Sequence, residues 1–245
     1  MNLAGKVALV TGGAKRLGRA IAVGLAGAGA GANIALHYHT SAEEAAAAAA
    51  EIRRLGVEAT TVQGNLAEVA EAERVVDQAA ATWGRLDILV NNAAILSQTP
   101  CGTVTAAQWE TLLNTNLRGP FFCAQRAGQL MQQSGDGVII NFTDTGVDLA
   151  WRGYLPYLIS KAGVEMMTYG LAKELSPLVR VNAIAPGPVL LAEGHTSAER
   201  DHFIQNTLLK RLGGAESIVE AVLYLVRAEF VTGVVLRVDG GQRWR

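Results

Sequence analysis

Charge is scarce in this chain: 18% of its 245 residues are Asp, Glu, Lys or Arg, and the formal net charge is -1. Gripping a polyanion takes an excess of cations, so neither nucleic acid nor an anionic membrane surface is an expected partner. Cysteine is scarcer still. Cys101 and Cys123 stand in apolar surroundings without a metal-type spacing, which excludes a disulfide framework, leaves no metal expected and makes both free, inert thiols. No apolar run approaches the roughly 20 residues a membrane span requires. The start, Met1-Asn-Leu-Ala-Gly-Lys6, leads directly into an apolar run and lacks signal-peptide architecture, so a soluble, cytoplasmic protein is expected. No Pro/Ser-rich linker and no repeat of solenoid period interrupts the sequence, and a single domain over residues 1–245 is the economical reading.

What is present is hydrophobic. Half of the residues are apolar and the mean hydropathy is +0.21, enough for one large core with apolar surface left for subunit contacts. Apolar, β-branched runs recur at Val7 to Thr11, Asn33 to His37, Ala59 to Val62, Leu86 to Val90, Val138 to Phe142, Arg180 to Ile184 and Val234 to Val238. Helical stretches separate them, so the pattern predicts an α/β fold, a doubly wound seven-stranded parallel sheet of Rossmann type. Ser41 to Leu55 reads as a helix opened by a capping serine, and long helices are expected over Thr105 to Ser134 and Tyr154 to Leu175. The largest irregular insertion, about 190–212, follows the sixth strand and is assigned to the substrate. Its His195 reads as a solvated loop histidine.

Tyr157 and Lys161 stand one helical turn apart, and Asp144 precedes the tyrosine by thirteen positions. A lysine four residues on shares the tyrosine's helix face, where its cation favours loss of the phenolic proton; reaching neutrality takes roughly 3 pKa units, about 4 kcal/mol. Y-x-x-x-K by itself is a common accident, and the rest of the chain gives it weight. Directly after the first strand comes Thr11-Gly12-Gly13-Ala14-Lys15-Arg16-Leu17-Gly18, a glycine-rich strand-to-helix turn suited to a pyrophosphate. The second strand ends His37-Tyr38-His39-Thr40-Ser41, with no carboxylate before Glu43. An acid belongs there in folds that prefer NAD; with Arg16 able to swing across, this pocket instead suits the 2′-phosphate of NADP(H).

Together these residues resemble the short-chain dehydrogenase/reductase family over essentially the whole chain. Further matches are Asn91-Asn92-Ala93-Ala94, Asn116 in Asn-Leu-Arg-Gly, Pro186-Gly187, and Val238-Asp239-Gly240-Gly241. The resemblance implies that Tyr157 exchanges the proton, Lys161 holds the nicotinamide ribose and lowers the tyrosine pKa, and Asn116 organises a water relay. It extends the NADP(H) site to Asn65, Leu66, Asn92, Ala93, Pro186 and Gly187, and implies a homotetramer in which Arg245 reaches a neighbour's pocket. Two departures, Arg16 for the usual middle glycine and Asp144 for the usual serine, are shared with the pteridine reductases and dihydromonapterin reductases. The leading expectation is therefore hydride transfer from NADPH to a dihydropterin-like ring lined by Arg16, Leu96, Asp144, Trp151, Tyr154, Tyr157 and Leu190. Leu96 stands where those enzymes carry a stacking aromatic. The alternative is a carbonyl reductase acting on a 3-oxoacyl thioester or small ketone, and a sensor that binds NADP(H) without turnover is the third reading.

Overall fold

The computed structural model describes residues 1–29, 31–191, 194 and 196–245. Seven parallel strands form one sheet in the order β3-β2-β1-β4-β5-β6-β7: β1 Val7–Val10, β2 Asn33–Tyr38, β3 Ala59–Gln63, β4 Ile88–Asn91, β5 Gly137–Phe142, β6 Val179–Pro186 and β7 Val235–Val238. Each lies within about two residues of its expected run. Helices α1 Arg16–Gly27, α2 Ala42–Arg53 and α9 Gly214–Arg227 contribute to the core on one face, where Ile21, Leu25, Ile52, Ile218 and Leu225 are buried. On the other face α3 Val69–Trp83, α5 Gly119–Ser134 and α7 Leu155–Glu174 bury Val75, Val76, Met131, Met167 and Leu171. Strands covered on both faces need no polar alternation, which is why β1 and β4 read as continuous apolar runs.

Two expected helices differ in detail. The stretch from Thr105 to Ser134 divides into α4 Ala106–Leu113, a π-helical turn Asn114–Arg118 and α5. Pro120 has no N–H to offer the Asn116 carbonyl four residues back, so α geometry cannot continue there. The chain widens instead, and Gly119 N–H donates to the Asn114 carbonyl five residues back. Ser41 does precede α2, but its side chain makes no capping hydrogen bond. The remaining helices are α4's neighbour in the site, the short α6 Gly146–Leu149, and α8 Ser197–Gln205, which opens on a capping box between Thr196 and Glu199. No helix among the described residues is long and apolar enough to cross a membrane. Cys101 is exposed, while Cys123 is buried and its thiol is pushed up to about 12 by burial.

Candidate active site

A parallel sheet delivers all its carboxyl-end loops to one edge, so motifs scattered over 180 residues of sequence converge there. Thr11-Gly12 leaves β1, Asn92-Ala93 leaves β4, Thr143-Asp144 leaves β5 and Gly187 leaves β6. Strand order reverses between β1 and β4, the switch point at which open α/β sheets bind ligands. A cavity of about 390 Å³ opens at that point, lined among others by Gly12, Lys15, Arg16, Leu17, Gly18, His39, Asn65, Leu66, Asn92 and Ala93.

The glycine-rich turn is shaped by contact. A Cβ on Gly18 would lie 2.1 Å from the Gly12 carbonyl oxygen, so no side chain fits. Beneath the turn, Thr11 Oγ1 accepts from the Asn92 and Ala93 amides at 2.9 and 3.0 Å, and Asn92 Nδ2 donates to the Thr11 carbonyl at 2.9 Å. These groups fasten β1 to β4 and set the backbone that faces a ligand. His37, expected to touch cofactor, lines the cavity, and its ring is also a strut below the turn. Nδ1 accepts from Gly12 N–H at 3.1 Å and Nε2 pairs with the Gly64 carbonyl at 3.0 Å, which leaves neither nitrogen for a phosphate. Burial lowers its pKa from 6.5 to about 4.

Arg16, expected to meet the phosphate, lines the cavity and reaches across it in this structure. It sits at φ 48°, in the left-handed region a glycine would occupy without cost, and its Nη2 donates to the Leu190 and Leu191 carbonyls at 3.3 and 3.1 Å. The guanidinium thus ties the turn to the insertion after β6. Lys15 is the cation left toward the end of β2, where it pairs with Glu44 at 2.5 Å and lines the cavity together with His39. His39 and Thr40 are exposed and Ser41 is half-buried, so this end of the cavity presents hydroxyls and cations.

At the other end, Tyr157 Oη donates to Asp144 Oδ2 at 2.7 Å, and Asp144 Oδ1 accepts from Gly146 N–H at 2.7 Å. Burial holds the Asp144 carboxyl above the ordinary carboxylate range, against the Tyr157 and Gly146 donors and the Lys161 charge. Burial, then the Asp144 charge and its hydrogen bond, push the Tyr157 phenol well above its ordinary value. The expected lowering of the tyrosine pKa is not what this structure gives: burial first, and then the carboxylate directly on the hydroxyl, act upward. Lys161 lies with Nζ 5.9 Å from the Tyr157 ring centre and donates to the Phe142 carbonyl at 2.9 Å. Its complete burial lowers its pKa to about 8.

Asn116 is brought to the same cluster by the π-helical turn, with a different set of partners from a simple relay. Its Oδ1 accepts from Ile95 N–H at 2.9 Å, and Nδ2 donates to the Ile95 carbonyl at 2.9 Å and to Ser160 Oγ at 3.3 Å. Both amide donors are spent, which leaves the second lone pair of Oδ1 for a water. Ser160 Oγ in turn donates to the Tyr157 carbonyl at 2.6 Å. Ile95 lines the cavity, and the Ile95–Asn116–Ser160 series joins the cavity wall to the helix that carries the tyrosine.

On the substrate side Trp151 and Tyr154 pack edge to face, ring centres 6.2 Å apart, and both border the cluster formed by Leu112, Tyr157 and Leu158. Leu96 and Leu190 are 59% and 41% exposed. Pro186 accepts from the Thr145 amide and hydroxyl at 3.2 and 3.1 Å, and a Cβ on Gly187 would meet Asp239 Cα at 2.6 Å; these two residues shape the backbone near Asp144. His195 and Glu193 lie outside the described residues. Ser160, Ile95 and Thr115 were not anticipated as neighbours of the site. Serine and isoleucine there carry no pattern, since their partners stand 21 to 44 positions away in sequence.

Residues 12–243 match the family model described as enoyl-(acyl carrier protein) reductase. The chain is 33% identical over 241 residues to 3-oxoacyl-(acyl-carrier-protein) reductase FabG of Staphylococcus epidermidis, covering 96% of this chain and 98% of that protein. Among solved structures, a protein assigned as a short-chain alcohol dehydrogenase from Sinorhizobium meliloti 1021 superposes with a TM-score of 0.92 at 34% identity, covering 98% of this chain and 97% of the other. NADPH-dependent 3-quinuclidinone reductase from Rhodotorula rubra superposes with a TM-score of 0.92 at 27% identity, covering 100% and 93%.

Proposed function

The chain belongs to the short-chain dehydrogenase/reductase family, and we propose that it is an NADPH-dependent reductase acting on the ketone of a 3-oxoacyl thioester. The observation that carries this reading is the Tyr157 phenol, held at 2.7 Å on Asp144 beside the cofactor cavity. Its surroundings keep it protonated, the form that can give a proton to an oxygen growing basic as its carbonyl is reduced. The names of the Staphylococcus reductase and the quinuclidinone reductase, both similar to this chain, place a ketone in those proteins' sites.

NADP(H) fits the residues present. The Gly12 to Gly18 turn borders the cavity with backbone, packed too closely for a side chain at Gly18, so its amides can face a pyrophosphate, and the end of β2 offers hydroxyls and Lys15 without a carboxylate before Glu43. When bound, the cofactor supplies the hydride. Lys161 spends one of its three donors on the Phe142 carbonyl and has the others for ribose hydroxyls. Tyr157 then delivers the proton to the substrate oxygen.

A second reading, reduction of a dihydropterin-like ring, is favoured by Asp144 itself. An ionised carboxylate only accepts hydrogen bonds, so it suits ring N–H groups better than a ketone oxygen, and its upward-shifted pKa also makes it a second proton source. One experiment separates the readings: NADPH oxidation followed side by side with an acetoacetyl thioester, a small cyclic ketone, dihydrobiopterin, dihydromonapterin and dihydrofolate. Turnover on thioester or ketone without pterin turnover supports the carbonyl reading. The reverse pattern transfers the assignment to the pterin, and no oxidation with any of them leaves a cofactor-binding sensor.

A further inference from the structure

A carboxylate can hold a phenol in one direction only if the carboxylate is itself held, and Asp144 is held by a local turn to Gly146 that is tied to the far end of the chain through Asp148. Gly146 N–H, which fixes Asp144 Oδ1 at 2.7 Å, is the first residue of α6. Four residues make too little helix to keep its own place. Its position is set by Asp148, gripped from β7 by Arg237 through two bonds, Nε to Oδ2 at 2.5 Å and Nη2 to Oδ1 at 2.9 Å. Arg243, in the terminal 3₁₀ turn, lies 3.8 Å from the same carboxylate. Arg237 Nη2 is also 3.8 Å from Glu165 Oε1, and Glu165 stands one turn beyond Lys161 on α7.

The backbone flanking Asp144 is tied to the same network. Thr143 Oγ1 lies 3.0 Å from the Lys161 carbonyl and 3.3 Å from Glu165 Oε1. Thr145 Oγ1 lies 3.1 Å from the Pro186 carbonyl and 3.2 Å from Gln242 Oε1. A bidentate arginine–carboxylate pair fixes direction as well as distance, and this one is about one-fifth to one-quarter exposed, so solvent screens it only in part. Neither arginine touches the Asp144 carboxyl in the described structure; their effect must pass through α6.

We propose that Arg237 is a positioning residue for the reduction: by clamping Asp148 it seats α6, whose Gly146 amide aims the Asp144 carboxyl at the Tyr157 hydroxyl. The charged and titratable groups around that pair are Lys161 and Glu165 on α7, Asp148 on α6, Arg237 on β7 and Arg243 after it. This inference rests on the reductase reading of Tyr157, and its test keeps the two apart.

In substrate-free protein, the infrared band of the Asp144 carboxyl is isolated as the difference between the unaltered protein and Asp144→Asn. Arg237→Gln and Asp148→Asn should each shift or broaden that band, and Arg237→Lys, which keeps the charge but not the fork, should do so less. An unchanged band in both Arg237→Gln and Asp148→Asn overturns the proposal, whatever happens to turnover. Loosening Asp144 should ease loss of the Tyr157 proton, so the alkaline limb of the Tyr157 ultraviolet titration, isolated as the difference from Tyr157→Phe, moves to lower pH. The same substitution made in an Asp144→Ser background should move the limb no further. A full additional shift there means Arg237 acts by another route and also overturns the proposal. A band that shifts in a protein that reduces none of the offered substrates supports the clamp and refutes the proposed function.

Discussion

Tyr157 and Asp144 share one short hydrogen bond, 2.7 Å from phenol to carboxylate, in a site that buries the tyrosine and half-buries the acid. The pair stabilises a protonated tyrosine, whereas the Tyr157–Lys161 spacing taken from sequence implies one ready to ionise. In both proposed readings the chemistry passes through this contact.

Tyr157→Phe keeps the ring and deletes the transferable proton. Turnover should fall by roughly 10²- to 10⁴-fold, the range for losing a positioned acid or base, while NADPH titrated by fluorescence binds as before. Near-normal turnover in this variant would assign the proton to Asp144.

Asp144→Ser separates the two substrates. On a 3-oxoacyl thioester the variant should match or exceed the unaltered enzyme, because the carboxylate opposes a developing alkoxide. On a dihydropterin, the unpaired ring N–H groups should cost about 1–3 kcal/mol. Steady-state kinetics on both substrates reads the difference directly, and a loss confined to the dihydropterin favours the pterin reading.

The two cations of the glycine-rich turn should divide the labour. Lys15, beside the end of β2, is expected to select the 2′-phosphate, so Lys15→Ala narrows the preference for NADPH over NADH. Arg16→Ala frees the carbonyls of Leu190 and Leu191 and should raise KM for the substrate more than it alters cofactor preference. Kinetics with both cofactors decides this; the opposite ranking restores Arg16 as the phosphate ligand.

His37 makes the fold acid-sensitive. Its folded pKa, about 4, lies below the 6.5 of an unperturbed histidine, so the neutral ring's contribution is complete above pH 6.5. It is lost as pH falls toward 4, where the unfolded chain takes up the proton first. The loss is on the order of 3 kcal/mol. Urea unfolding at pH 7 and pH 4.5 should show it, and a His37→Gln variant should have a flatter pH dependence; equal slopes would refute the strut.

A homotetramer is expected in solution. Phe121, Met166, Tyr169 and Leu178 are 37 to 68% exposed and Phe230 fully so, more apolar surface than a monomer of this composition should leave in water. Light scattering at micromolar concentration measures it, and a monomer would contradict it.

The strand periodicity, the glycine turn, the Tyr157–Lys161 spacing and the acid at position 144 were all legible in the sequence. Each depends on local chemistry: alternating apolar runs, a turn without side chains, two groups one helical turn apart. The direction in which side chains point depends on neighbours far along the chain, and there the sequence was silent. His37 faces Gly12 and Gly64 because parallel pairing of β2 with β1 and β3 puts it under the turn. Arg16 reaches the loop after β6, 174 residues away. Tyr157 stays protonated because β5 ends beside α7, where the phenol is buried against Asp144, and Arg237 reaches Asp148 because β7 closes the sheet next to β6. Local spacing determined which chemical groups the protein has; burial and long-range pairing, which only the folded sheet creates, decided which of them meet and in which protonation state.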